Sequence, residues 1–278
     1  MMMRKYVLYL IFVCFVAFYI HQPLFGLIPN AVVGYIQDKK EKERLAEFLK
    51  DYQKVDVAHV TIYYMDFDAE LLQTTKVALE RGIELNNEIL GQFNDSVDLI
   101  IFPNRADRIN LFGIGHFINN NDNPYYNTVN IFPADREEIF PDMAPADLLY
   151  KNVIHDYTQF VINQRLDELS LSASYIPTWF IVGVGEYISN VGKETPPLDA
   201  EAVRLSSLNS KIAGLGDGDE NAKYNGYVQS HLTIKYLVDE FGPGNINEIL
   251  IKTEEEKSFN KAFATMTGIE LSAVPDIY

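Results

Sequence analysis

The chain has 278 residues, 47% of them hydrophobic and 22% charged, with a formal net charge of −16. Such a composition supports a folded core and argues against disorder, while the acidic balance argues against nucleic acid or anionic lipid headgroups as partners. The only cysteine, Cys14, lies in the apolar N-terminal stretch, so the remainder has no disulfide, CxxC motif or thiolate zinc site.

The charge is unevenly placed. Residues 1–36 hold Arg4 and Lys5 and no acid, which leaves about −18 on the rest. Residues 6–20, YVLYLIFVCFVAFYI, are uncharged. A membrane span needs about 20 apolar residues, and Phe25 to Ile28 extend this one. Phe18, Tyr19 and Ile20 leave no small-residue cleavage site, and Val13 before Cys14 does not fit a lipoprotein signal. Residues 1–36 therefore read as a signal-anchor, with a cleaved signal peptide as the other reading. The basic flank keeps the N-terminus cytoplasmic and places the bulk of a single-pass protein outside the cell membrane. Residues 37–54 read as a linker or helix, its mixed-charge run Asp38 to Arg44 forming a solvated face.

Val55 to Met65 is rich in β-branched and aromatic residues and predicts a strand. Residues 68–92 place Leu71, Leu72, Val77, Leu79, Ile83, Leu85 and Ile89 at helical spacing. SVDLIIFPN, ending at Asn104, predicts a second strand, and residues 113–119 and 128–133 a pair of strands around a turn-rich segment. From Ala144 the chain turns helical. One helix starts at Pro145 and runs to about Leu169; the next starts near Pro177, where a missing N–H costs nothing. Residues 191–221 read as a connection with one short helix around Ala202 to Leu208. Tyr224 to Phe241 forms a further helix stopped by Gly242-Pro243-Gly244, and short helices follow. The expected class is α+β: a small sheet in residues 55–143, a helical half in 144–278, and a site where they meet.

Within the helical half stand VIHDYTQFV and IPTWFIVGVGEYIS. An H-E-x-x-H helix puts two imidazoles on one face to bind zinc, with the Glu as general base. Together with Tyr227 to Ser230 in GYVQSHLTIKYLVDEFG and the tail SFNKAF followed by TGIEL, these segments resemble the gluzincin zinc peptidases, in particular the bacterial peptidase MA-like proteins, over residues 55–275. The resemblance implies a domain spanning 55–278 and a degenerate metal site. His155 aligns with the first ligand, Asp156 with the general base, Gln159 with the second ligand and Val182 with the third. Glu186 aligns with the carboxylate that steadies the first His. Asp156 keeps an acid but shortens it by one methylene, roughly 1.5 Å, where a 1 Å error costs about 100-fold. Gln159 offers a neutral amide and Val182 nothing.

Each of these residues has a plainer reading beside the functional one. His155 fits a structural hydrogen bond to Glu186, Asp156 a helix hydrogen bond, and Val182 core packing. Gly183 and Gly185 allow close helix approach. Tyr227 faces either a cleft or the core. His116 and His231 are the remaining imidazoles that a rebuilt metal site would draw on. The leading expectation is a membrane-anchored, extracytoplasmic pseudopeptidase that binds or scaffolds a polypeptide, with no cofactor. The alternatives are an active zinc metallopeptidase with a non-standard ligand set and a structural cell-envelope protein.

Overall fold

The structure is a computed structural model that describes residues 39–40, 42–65, 69–112, 127–133, 137, 140, 142–194, 197–198, 202–205, 207–208 and 220–271. The expected anchor, the strand at 113–119 and His116 lie outside these residues. Among the described residues no helix is long and apolar enough to cross a membrane. The chain divides into a unit of residues 1–48, of which 42–48 are helical, and a compact unit of residues 49–278. The second unit is α+β, and its elements are numbered here.

Two short strands, β1 (Gln53–Val57) and β2 (Val60–Tyr64), stand where one continuous strand over 55–65 is expected. They pair antiparallel, with Gln53 opposite Tyr64 and Val57 opposite Val60. The reversal falls on Ala58 and His59, with Ala58 at φ 52°. Neither is a residue type that advertises a tight turn, so the hairpin is silent in the sequence. β1 also begins within the stretch read as linker.

Helix α1 (Ala69–Ile89) follows and buries Ala78, Leu79, Leu85 and Ile89. The chain leaves it through Gly91, whose φ of 92° favours a residue without a side chain. β3 (Val97–Ile101) then runs parallel to β2. Its residues Leu99, Ile100 and Ile101 are all buried, as expected for a strand covered on both faces. A helix that the apolar pattern does not reveal, α2 (Arg105–Phe112), comes next. Asn104 caps it: the Asp107 backbone N–H donates to Asn104 Oδ1 at 3.0 Å. β4 (Thr128–Ile131) pairs parallel with β3, completing the order β1-β2-β3-β4.

Helix α3 (Pro145–Glu168) is the centre of the unit, packing against α1, α4 and β4. Pro145 opens it with a φ already suited to helix. Burial on nearly all sides explains why its apolar residues, Leu148, Leu149, Val153, Ile154, Tyr157, Phe160, Val161 and Ile162, do not form a single stripe. Two polar contacts tie it to the sheet half. Asn86 on α1 donates to Thr158 Oγ1 at 2.9 Å, and His59 in the hairpin turn lies 2.9 Å from the Tyr157 hydroxyl. α4 (Thr178–Ser189) starts after Pro177, and α5 (Glu220–Phe241) packs along it. α6 (Asn245–Glu256) and α7 (Phe259–Thr267) close the unit. Phe259 stacks edge-on against Trp179 and Phe180, with centroids 5.9 and 5.0 Å apart. Of the connection expected at 191–221, Leu205, Ser207 and Leu208 are helical, Glu220 and Asn221 already belong to α5, which begins four residues before the expected Tyr224, and much of the rest lies outside the described residues.

Candidate functional site

The helical period of 3.6 residues puts Lys151, His155 and Gln159, at i, i+4 and i+8, along one side of α3. Across from them α4 presents Gly185 and Glu186. The two helices touch closely because residue 185 has no side chain: a Cβ there would lie 2.7 Å from His155 Cδ2 and 3.0 Å from Nε2. Gly183 performs the same service toward α5, where a Cβ would lie 2.7 Å from the Ser230 carbonyl oxygen. α4 is thus held between α3 and α5 by a glycine on each side.

His155 is buried, and both ring nitrogens are engaged. Nδ1 lies 3.0 Å from Asp156 Oδ1, and Nε2 lies 3.1 Å from the Gln159 amide nitrogen. Asp156 accepts only, and an amide nitrogen donates only. The pair of contacts therefore selects the tautomer in which Nδ1 carries the proton and Nε2 accepts from Gln159. Gln159, at the second-ligand position, thereby occupies the lone pair that a metal would need. Glu186 Oε1 is 3.5 Å from Nε2, an electrostatic neighbour rather than a hydrogen-bond partner.

The short bond of Glu186 goes elsewhere. Its Oε2 accepts from Lys151 Nζ at 2.7 Å, with the two side chains only 1% and 3% exposed. Glu186 was expected to serve His155, and its short bond goes to Lys151, one turn before His155 on α3. Lys151 Nζ also lies 3.4 Å from Ser189 Oγ and 4.8 Å from the centroid of the Phe140 ring. Bare burial of either charge would cost several kcal/mol, so each ion holds the other in place. Lys151 carried a signal that sequence reading passed over. It is a basic residue set among buried helix positions, four residues before His155.

The other expected site residues are more dispersed. Val182 is 7% exposed and belongs to the hydrophobic core. Tyr227 is half-buried on α5 and packs on that core. His231, also on α5, is 4% exposed, and neither of its ring nitrogens has a hydrogen-bond partner among the described residues. Its ring lies 6.0 Å from that of Tyr187. Burial, with lesser contributions from the Lys151 and Lys235 charges, pushes its pKa down to about 4.

These residues do not fit zinc. A catalytic zinc keeps three protein ligands and one open position. Here one imidazole has its available lone pair occupied by Gln159, the nearest carboxylate is bonded to an ammonium, and the third position is an isopropyl group. Among the described residues no group of three or more His, Cys, Asp or Glu side chains could hold a metal ion.

No protein-family model matches the chain. A relative from Bacillus subtilis (strain 168), the uncharacterized protein YhcO, is 26% identical over 235 residues, covering 81% of this chain and 69% of that protein.

Proposed function

We propose that the chain is a membrane-anchored, extracytoplasmic pseudopeptidase of gluzincin type, which binds or scaffolds a polypeptide without a metal and without cleaving it. The observation that carries this reading is the occupancy of the former ligand frame. Gln159 donates to His155, Glu186 bonds Lys151, and Val182 packs into the core. The side chains at the aligned ligand and base positions, 155, 156, 159 and 182, are already engaged in contacts internal to the protein. Asp156 is bonded to the imidazole of the adjacent residue, so its carboxylate is not poised over an activated water. The basic flank and uncharged stretch of residues 4–20 supply the anchor.

The test is a polypeptide-binding screen with the full chain in detergent or vesicles, run with and without a chelator. The reading expects retention of intact polypeptide in amounts indifferent to chelator. Chelator-sensitive cleavage would replace it with the metallopeptidase reading, and failure to retain any polypeptide would leave a structural envelope protein.

A further inference from the structure

We propose that the open edge of β1 is a self-association surface, which pairs antiparallel with β1 of a second copy of this chain. The inference is independent of the pseudopeptidase reading. In the sheet order β1-β2-β3-β4, β1 has a neighbour on one side only among the described residues. The two-residue reversal at Ala58 and His59 makes Val57 and Val60 a hydrogen-bonded pair. The alternation of an antiparallel ladder then turns the backbone groups of Val55 and Gln53 toward β2 as well. On the far side of β2 the His59 carbonyl accepts from the Val97 N–H at 3.1 Å, in keeping with that alternation. The N–H and C=O of Lys54 and Asp56 therefore point away from the sheet, and among the described residues no strand meets them. Edge groups of this kind are a template for another strand.

The side chains decide which strand fits. Lys54 and Asp56 are exposed and lie two residues apart on one face of β1, with Val55 half-buried on the other. An identical strand laid antiparallel, with Val55 opposite Val55, brings Lys54 of each copy against Asp56 of the other. In that register the outward backbone groups of both strands also face each other and exchange hydrogen bonds. A shift by two residues sets Lys54 on Lys54 or Asp56 on Asp56, and a parallel, in-register pairing does both. Like charges directly opposite disfavour each of these. The same antiparallel register places Gln53 of the second copy opposite Val57, beside a groove lined by Val57, Ala58, Lys76, Glu80 and Ile83. Its amide can accept from the lysine and donate to the glutamate. Asp56 is already steadied by Thr61, whose hydroxyl donates to Oδ1 at 2.8 Å, and Oδ2 is left for the lysine of the second copy.

A five-residue edge makes a small interface, so the test traps it covalently, with the full chain in vesicles. Cys14→Ser first removes the only cysteine of the sequence. On that background Val55→Cys should form a disulfide-linked dimer under mild oxidation. The two Cα atoms of such a non-hydrogen-bonded pair are about 4.5 Å apart, within disulfide range. Lys54→Cys should link at least about fivefold less, since position 54 is offset from its copy by two residues, about 7 Å along the strand. Adding Lys54→Asp to Val55→Cys should abolish the linkage, and Lys54→Asp with Asp56→Lys should restore it. Lys54→Cys and Asp56→Cys chains, mixed, serve where a cysteine at 55 disturbs folding; they should link only in the mixture. Equal linkage at 54 and 55, or linkage indifferent to the charge reversal, means chance collision and overturns the proposal. Failure of both the Val55→Cys chain and the mixture to link overturns it too, leaving β1 as an edge that its charges keep unpaired.

Discussion

Lys151→Met is the most direct probe of what holds α3 to α4. Methionine matches the lysine stem in length and flexibility, so the change removes the charge with little loss of volume. Both partners are almost fully buried, so solvent does not screen the pair. Removing one member of such a pair costs about 3–5 kcal/mol, because the other charge stays buried without its counter-ion. His155 Nε2, 3.5 Å from the other carboxylate oxygen, carries a lone pair and offers the stranded charge no donor, so the expected loss is at least about 3 kcal/mol. For a protein of this size that corresponds to roughly 6–12 °C in Tm. Urea denaturation of the parent, Lys151→Met, Glu186→Gln and the double variant closes a double-mutant cycle. The double variant should be markedly more stable than the sum of the singles implies, by roughly 2 kcal/mol or more, since it leaves no charge stranded. A Lys151→Met protein within about 0.5 kcal/mol of the parent would refute the reasoning, because that is the range of an ordinary surface change.

Gly183→Ala should cost more stability than Gly185→Ala, as measured by the same denaturation. The first meets the Ser230 backbone carbonyl at 2.7 Å, which moves only with its helix, and the second the imidazole of His155, which shifts only by straining its bonds to Asp156 and Gln159, so about 3 against 2 kcal/mol is expected within the overpacking range. The His231 pKa, pushed down to about 4 from 6.5, means that the folded state binds fewer protons than the unfolded one below pH 6.5. Stability is therefore full above pH 6.5 and falls as the pH drops toward 4, by up to about 3 kcal/mol. His231→Phe should flatten that stretch of the stability–pH curve, and an unchanged slope would remove His231 as its cause. Combining Asp156→Glu, Gln159→His and Val182→Glu should restore zinc binding, read by titration, and adding Lys151→Met should tighten it by removing an opposing charge. A well-folded triple variant that binds zinc no better than the parent would show that these helices do not share the expected ligand face.

The helical half was legible because its signals are local. Pro145 and Pro177 mark helix starts, and Gly242 with φ 86° marks the end of α5. The sheet half was less so. The β1–β2 reversal uses Ala58 and His59, whose identities carry no turn preference, and the β-branched run hides it. α2 was missed although Asn104 and Asp107 have cap spacing, because the helix has no apolar stripe to draw attention to it. At the candidate site, the i, i+4 relation of His155 and Gln159 follows from the helical period alone. The partner of Glu186 does not. His155 and Lys151 are one turn apart on the same face, and only the axial offset between α3 and α4 decides which of them the carboxylate meets. The charge on Lys151 also reads as a solvent-facing signal until α4, packed over it, supplies the counter-ion.

The central claim is that this site works without a metal, and the metal content of the purified full chain tests it most directly. Elemental analysis of protein prepared without chelator, beside a casein-hydrolysis assay, is the measurement. The account predicts zinc far below one ion per chain and no hydrolysis above background. About one zinc per chain, with proteolysis abolished by chelator and restored by zinc, would contradict it.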